Sequence, residues 1–297
     1  MRKLNTRSAA EGQVWAIVLA AGAGTRLRSL TDDGAGNAVP KQFCSVSGGN
    51  IIVQPADRGT AIGILLPVLA ILEREPHARL LILPSDHFVA DESVLASAIR
   101  TALDAIRHHR RGVALLGMEA DEPDPELGYI VAEAAEHAAF HAVRRFVEKP
   151  TVEEASRLCE DGALWNSFIV ACRAESLIEL YRSRCPDAVE ILQGIELRDC
   201  RQLADAYRML PRLDFSRQIA TGQEHRLAVV AVPHCGWSDL GTAKHLARTL
   251  VRYPELLRGI FMPSSKIAAG HVNLAERLIR KYPGWVADHV ACGAIPS

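Results

Sequence analysis

Short apolar runs alternate along this chain with segments whose apolar positions recur at helical spacing. Val14–Leu19, Ile51–Gln54, Leu80–Leu83 and Val113–Leu116 are apolar or nearly so from end to end. Runs this short, without polar alternation, predict strands buried on both faces. Helices are expected near Thr60–Glu73 and Ser93–His108, between the later runs. Strands and helices in this order predict an α/β fold: a Rossmann-like, mostly parallel sheet flanked by helices. In such sheets ligands bind beyond the carboxyl ends of the strands.

The second half reads as a more mixed sheet. Tyr129–Ala132, Ala142–Val147 and Asn166–Cys172 have strand character. Thr151 and Glu154 have the spacing of a capping box, which predicts a helix running to about Asp161. Glu175–Arg184 and Asp187–Leu197 read as helices split by Cys185-Pro186, and Leu227–Val232 reads as a strand leading to Trp237-Ser238-Asp239. Leu274–Tyr282 has a helical pattern. The expected organisation is one large domain over residues 1–253 and a helical appendage over 254–297.

Composition narrows the function classes. The 297 residues are 48% hydrophobic, and 34 Lys plus Arg nearly balance 35 Asp plus Glu. No global field draws in nucleic acid or a membrane, so any anion site must be local. The seven cysteines are scattered with no C-x-x-C pair, which argues against a metal cluster or disulfide framework and for a reducing, cytoplasmic setting. Cys44 and Cys235 read as small packing residues. The stretch before Trp15 lacks the apolar core of a secretory signal, and Ala61–Leu72 is too short to span a bilayer.

The richest chemistry lies at the end of the first strand. Leu19-Ala20-Ala21-Gly22-Ala23-Gly24-Thr25-Arg26-Leu27 is followed by Pro40-Lys41. Small residues let backbone N–H groups approach an anion, and two cations can then hold a polyphosphate. That is a nucleoside-triphosphate site. A dinucleotide fingerprint would need glycine where Leu27 stands, and a Walker A loop would need Gly-Lys-Ser/Thr. An ordinary strand–helix turn accounts for Gly22 and Gly24 but not for the added cations.

The stretch resembles the G-x-G-x-R-L…P-K signature of sugar-1-phosphate nucleotidyltransferases. Gln54-Pro55-Ala56-Asp57-Arg58-Gly59-Thr60-Ala61, Pro84-Ser85-Asp86-His87, Gly128-Tyr129-Ile130, Phe146-Val147-Glu148-Lys149-Pro150, Trp165-Asn166-Ser167 and Trp237-Ser238-Asp239-Leu240-Gly241 follow in the family's order. They narrow the resemblance to the mannose-1-phosphate guanylyltransferases, over roughly residues 14–245. The resemblance implies the nucleotide-diphospho-sugar transferase fold. It also implies GTP and mannose 1-phosphate as substrates and Mg2+ as cofactor, with no nucleic-acid or membrane partner; a homo-oligomer stays open.

Nucleotidyl transfer brings two anions together, so it needs cations and positioning more than a base, because a phosphate monoester is already largely a dianion at neutral pH. Arg26 and Lys41 are the candidates for the triphosphate clamp, one a planar fork and the other a point charge. Asp86, after a buried run, is a hard oxygen ligand suited to Mg2+. By resemblance Asp239 is the second ligand, and Leu19, Ala20, Ala21, Gly22, Gly24, Thr25, Gln54, Gly59 and Thr60 face the nucleotide. By resemblance too, Gly128, Glu148 and Asn166 serve the sugar and Lys149 its phosphate. Glu148 and Lys149 are adjacent, so a regular strand would send them to opposite faces; a bulge or a strand end would let both reach one pocket. His87 is expected to position or pack, since Mg2+ favours oxygen. Tyr129, Trp165 and Trp237 are expected to pack.

One departure stands out. In the family a helix, a strand and a further helical stretch separate the Pro-Lys loop from the Gln-Pro segment. Here Ser47-Gly48-Gly49 runs straight into Asn50-Ile51-Ile52-Val53. The second strand of the nucleotide half is absent, an apparent deletion that would leave backbone groups unpaired. Either Ile51–Val53 pairs directly with the first strand, or a segment is missing. The gap also motivates a rival reading, a non-catalytic homologue that binds GDP-mannose and regulates a partner. A transferase with another base or sugar preference is the third reading.

Overall fold

A computed structural model describes residues 13–20, 50–133, 140–253 and 290–294. Strand β1 (Val14–Ala20) is followed by β2 (Asn50–Val53), α1 (Gly59–Leu72), β3 (Arg79–Pro84), β4 (His87–Phe88), α2 (Glu92–His108) and β5 (Val113–Glu119). Then come β6 (Gly128–Ala132), β7 (His141–Glu148), α3 (Val152–Glu160), β8 (Leu164–Arg173), α4 (Ala174–Arg184), α5 (Pro186–Gln193) and α6 (Cys200–Met209). A π-helical turn (Phe215–Ala220) leads to β9 (Leu227–Val232), β10 (Ser238–Asp239), α7 (Ala243–Arg252) and β11 (Val290–Ala294).

Nine strands form one mixed sheet in the order β2-β11-β1-β3-β8-β5-β9-β7-β6, and β4 and β10 form a two-stranded ladder. β2, β11, β1 and β3 are mutually parallel, and β5 and β9 are parallel, with β8 running against β3 and β5. The strand ends that matter, Ala20, Pro84 and Val53, therefore lie on one rim.

Both faces of the sheet are covered, as the unbroken apolar runs require. Trp15, Ile17, Leu80 and Ile82 face a core shared with α1, α4, α5 and α6. Their neighbours Val14, Val18, Leu81 and Leu83 face a second core shared with α2. The period of two along each strand thus divides one apolar run between two cores. Ile82 is fully buried, and removing its side chain to Ala would cost about 3 kcal/mol in lost burial and cavity.

Helix α1 is buried at ten positions from Ala61 to Ile71 because it lies between the sheet and a second helical layer. Tyr181 donates its hydroxyl to Ala61 O at 2.7 Å, filling one polar need of that buried turn. Helix α3 begins where the capping box places it, with Thr151 Oγ accepting from Glu154 N at 3.2 Å.

Two expectations need correction. β2 does not pair with β1; β11 lies between them, pairing with β1 at Ala16–Val290 through Ala20–Ala294 and with β2 at Asn50–Ala291 through Val53–Ala294. Residues 290–294 are therefore not part of a helical appendage but a strand of the main sheet. The reason is backbone pairing: β1 and β2 each present an open ladder, and a strand between them closes both. The expected helix at 274–282 lies outside the described residues.

Candidate active site

Asp86 follows β3, and Asp239 ends β10. The β4–β10 ladder holds them together: Asp239 is paired with His87, and Leu240 N donates to Asp86 O at 3.1 Å. Asp239 Oδ1 accepts from Gly241 N at 2.6 Å, which fixes the carboxylate. A Cβ at Gly241 would stand 2.8 Å from Oδ1, so any larger residue there would push the Asp239 carboxylate out of this position. His87 Nδ1 is taken by the indole N–H of Trp237 at 3.1 Å, which leaves it no part as an Nδ1 metal ligand. The ladder sets the two residues side by side along the backbone, and carboxylates are the hard oxygen donors that suit Mg2+.

Gly128, Glu148 and Asn166 meet at a second point. Gly128 is opposite Glu148 in the β6–β7 ladder. A Cβ at Gly128 would lie 2.7 Å from Glu148 Oε2 and 3.4 Å from Asn166 Cβ. Burial pushes the Glu148 carboxyl above the usual glutamate range, the Asp214 carboxylate adds to this, and Lys149 and Arg217 offset part of it. Lys149 has a left-handed backbone, φ 52°, so the strand alternation breaks just after Glu148. This is the strand-end departure that lets adjacent residues escape opposite faces.

Asn166 sits at a kink in β8. Phe168 is left-handed, φ 58°, and its N–H donates to Asn166 Oδ1 at 3.1 Å. Ser167 is fully buried; its hydroxyl donates to Leu116 O at 2.6 Å and accepts from Ile169 N at 3.2 Å. Ser167 therefore holds the irregularity in the β5–β8 register between Leu115 and Gly117. The Trp-Asn-Ser motif thus splits into a packing ring, an amide at the site and a hydroxyl that holds the bend.

Aromatic rings join the two clusters. Trp165, beside Asn166, has its ring 6.1 Å from that of Trp237, which meets His87 edge-on at 5.1 Å. A cavity of about 310 Å3 lies against this junction, bordered by Trp165, Trp237 and Asp239 and by the buried Asp124. Asp124, Glu126 and His245 are close enough to suggest a metal group. Asp124 Oδ2, however, already faces His245 Nε2 at 3.0 Å, Lys244 Nζ at 3.5 Å and Arg248 at 3.6 Å. A further cation there would meet two resident cations, so the cluster reads as an ion-pair network.

The segment after β2 is built differently from expectation. Gln54 is 2% exposed, and its Oε1 accepts from Tyr207 at 3.3 Å, so what it can offer a nucleotide is its backbone. Gly59, φ 80°, leaves no room for a Cβ beneath Leu213 O. Thr60 Oγ1 accepts from Phe215 N at 2.9 Å and donates to Asp214 at 3.5 Å. Asp57 accepts from Gly59 N at 2.8 Å and pairs with Arg212 at 3.0 Å. Partial burial would raise its carboxyl, but those two partners and Arg58 outweigh that and hold it below the usual range. Asp214, next to both Thr60 and Glu148, was not anticipated; no local motif marks it.

Leu19 and Ala20 end β1, and Ser85 N donates to Leu19 O at 3.2 Å, bringing the β1 end beside Asp86. Ala21, Gly22, Gly24, Thr25, Arg26 and Lys41 lie outside the described residues. Among the described residues no helix is long and apolar enough to cross a membrane.

The chain matches the nucleotidyl transferase family over residues 45–255, a span that begins downstream of the glycine loop. It is 30% identical over 206 residues to mannose-1-phosphate guanylyltransferase of Escherichia coli K12, covering 65% of this chain and 42% of that protein. It is 31% identical to the Salmonella montevideo protein of the same name, over 67% of this chain and 43% of the other. The chain thus spans less than half the length of these relatives. A Thermus thermophilus crystal structure titled mannose-1-phosphate geranyltransferase superposes with TM-score 0.67 at 26% identity, covering 80% of this chain and 79% of that one.

Proposed function

The chain belongs to the nucleotidyl transferase family, and on that premise we propose that it moves a guanylyl group from GTP to mannose 1-phosphate. The products are GDP-mannose and pyrophosphate. The observation that carries this reading is the pair of polar clusters joined by aromatic rings: Asp86 with Asp239, and Gly128 with Glu148 and Asn166. One suits a divalent ion and phosphates; the other suits sugar hydroxyls.

An oxygen of mannose 1-phosphate attacks the α-phosphorus in line, the bond from that phosphorus to the bridging oxygen of the β-phosphate breaks, and pyrophosphate leaves. Glu148 accepts hydrogen bonds from sugar hydroxyls, Asn166 adds an amide, and Lys149 holds the sugar phosphate. Gly128 lets the sugar approach the backbone. Arg26 and Lys41 hold the triphosphate and neutralise charge on the departing pyrophosphate. Asp86 and Asp239 would hold Mg2+, which would supply positive charge to offset the repulsion between the phosphates. The backbone at Leu19–Gly22 and at Gly59 faces the base. The described cysteines, Cys159, Cys172, Cys185, Cys200 and Cys235, are free thiols, which suits a reducing, cytoplasmic setting.

The test is to incubate the protein with GTP, mannose 1-phosphate and Mg2+ and measure both products. Equal amounts of GDP-mannose and pyrophosphate are expected; folded protein that releases neither overturns the reading. UTP, dTTP and glucose 1-phosphate in the same assay decide base and sugar. The short stretch between Lys41 and Asn50 favours a second reading, a non-catalytic GDP-mannose sensor. Calorimetric binding of GDP-mannose with zero turnover would select it.

A further inference from the structure

The β11 strand occupies a position with a consequence for the nucleotide half. β1 and β2 make no pairing with each other; every ladder bond between them passes through β11. Neighbouring strands lie about 4.8 Å apart, so one intervening strand sets β1 and β2 about 9.6 Å apart. The three strands finish flush: Leu19, Gly293 and Ile52 are in register, as are Ala20, Ala294 and Val53. Beyond Ala20 lies the glycine loop, and beyond Val53 lies the turn to Gly59 and α1. The carboxyl ends of β1 and β2, at Ala20 and Val53, are the two walls between which the proposed nucleotide site lies.

We propose that Val290–Ala294 is a replacement strand for the one absent after the Pro-Lys loop, and that it positions the nucleotide site by fixing the separation of its two walls. Were β2 to pair directly with β1, the walls would close by one strand spacing. Were the slot left open, both strands would carry unpaired N–H and C=O groups within the sheet. The strand's sequence, Val-Ala-Cys-Gly-Ala, is short and made mainly of small residues, so pairing on both edges must supply most of its order. The coupling to nucleotide rests on the functional reading above; the placement of the strand does not.

Two experiments on the full-length chain separate these points. Hydrogen exchange of the wild-type protein reads the strand without reference to activity. Amides of Val290–Ala294 are expected to be protected to a degree comparable with Leu80–Leu83 of β3. Exchange at the rate of an unstructured peptide overturns the placement, and protection lost on dilution to monomer assigns the slot to a second copy instead. Cys292→Pro then removes a ladder N–H from the strand. It is expected to weaken GTP binding at least tenfold while mannose 1-phosphate affinity stays within twofold and β3 stays protected. GTP affinity within twofold of wild type, with 290–294 exchanging freely, overturns the coupling, as does equal loss of both ligands. If the proline variant does not fold, the coupling is read on the wild-type protein instead: GTP is expected to slow exchange of Val290–Ala294 at least fivefold and mannose 1-phosphate alone less than twofold, and an unchanged rate with bound GTP overturns the positioning role. Wild-type protein that protects 290–294 yet binds no GTP overturns the nucleotide reading and upholds the strand.

Discussion

Trp237 donates its indole N–H to His87 Nδ1 at 3.1 Å, and that bond fastens together the two turns that carry Asp239 and Asp86. The backbone ladder at Asp239–His87 sets the strands side by side, and the side-chain bond keeps the turns from twisting apart. Trp237→Phe keeps the ring beside Trp165 but drops the donor. A lost half-buried hydrogen bond of this kind costs about 1 kcal/mol, or about 2–4 °C in Tm for a domain of this size. The larger effect is expected on the metal: the Mg2+ concentration for half-maximal rate should rise severalfold with little change in KM for GTP. Mg2+ titrations of both proteins check this, and an unchanged midpoint would remove Trp237 from the positioning of the carboxylates.

Glu148 carries a cost in the folded state. Burial and the Asp214 carboxylate raise its pKa, so the native protein holds the proton more tightly than the unfolded chain does. The group's favourable contribution is therefore full below the unfolded value, about 4.3, and is lost as pH rises through the higher folded value. At pH 7 the ionised carboxylate is destabilising. Glu148→Gln is expected to leave Tm equal or higher at pH 7, with the difference vanishing near pH 4. Losing a charged acceptor should raise KM for mannose 1-phosphate about tenfold or more. Thermal melts at the two pH values, with steady-state kinetics, check both signs; a Gln variant less stable at pH 7 contradicts the burial argument.

The legible parts of the fold were those where local pattern and tertiary need agree. Leu80–Leu83 and Val113–Leu116 are unbroken apolar runs because each strand feeds two cores. Thr151 announces its helix by local capping chemistry. β11 was illegible because Val-Ala-Cys-Gly-Ala has no alternation, and its order comes from a slot formed by residues far away in the chain. The kink at Asn166–Phe168 depends on Ser167 bonding to Leu116, a contact between distant strands that spacing cannot reveal. Asp214 affects Glu148 only because the turn before Phe215 docks on Thr60. The motifs singled out Gly128, Glu148 and Asn166, and the fold brings them to one place; Arg26 and Lys41 lie outside the described residues.

Gly128 gives a test of the proposed sugar cluster that leaves its polar groups in place. A methyl there would stand 2.7 Å from Glu148 Oε2, too close for contact. The obstructed atom is the end of a side chain, so the fold can yield by moving the carboxylate. Gly128→Ala is expected to cost little stability, about 1 kcal/mol, while raising KM for mannose 1-phosphate severalfold and sparing KM for GTP. Equal rises in both constants would mean that the substitution disturbs the sheet rather than the sugar site.

Asp124 is fully buried and holds α7 against the β5–β6 connection. Its Oδ2 faces His245 Nε2 at 3.0 Å, and its Oδ1 accepts from Glu126 N at 2.9 Å. Burial alone would raise its pKa, but the Glu126 N–H and His245, with Lys244, outweigh burial and hold it below the usual carboxylate value. A depressed folded pKa means that the stabilisation is present above about pH 3.9 and is lost as pH falls through the folded value. Asp124→Asn leaves His245, Lys244 and Arg248 without their shared anion. By analogy with other broken buried pairs it should cost about 3 kcal/mol at pH 7, with the gap to wild type closing in strong acid. Helix α7 also reaches the turn that carries Asp239, because Thr249 Oγ1 donates to Ser238 Oγ at 2.8 Å, one residue before it. A loosened helix should therefore lower kcat as well as stability. Urea unfolding at pH 7 and pH 3, read beside kcat, checks the two effects together; a difference from wild type that stays constant across that range would show that the Asp124 charge is not the source.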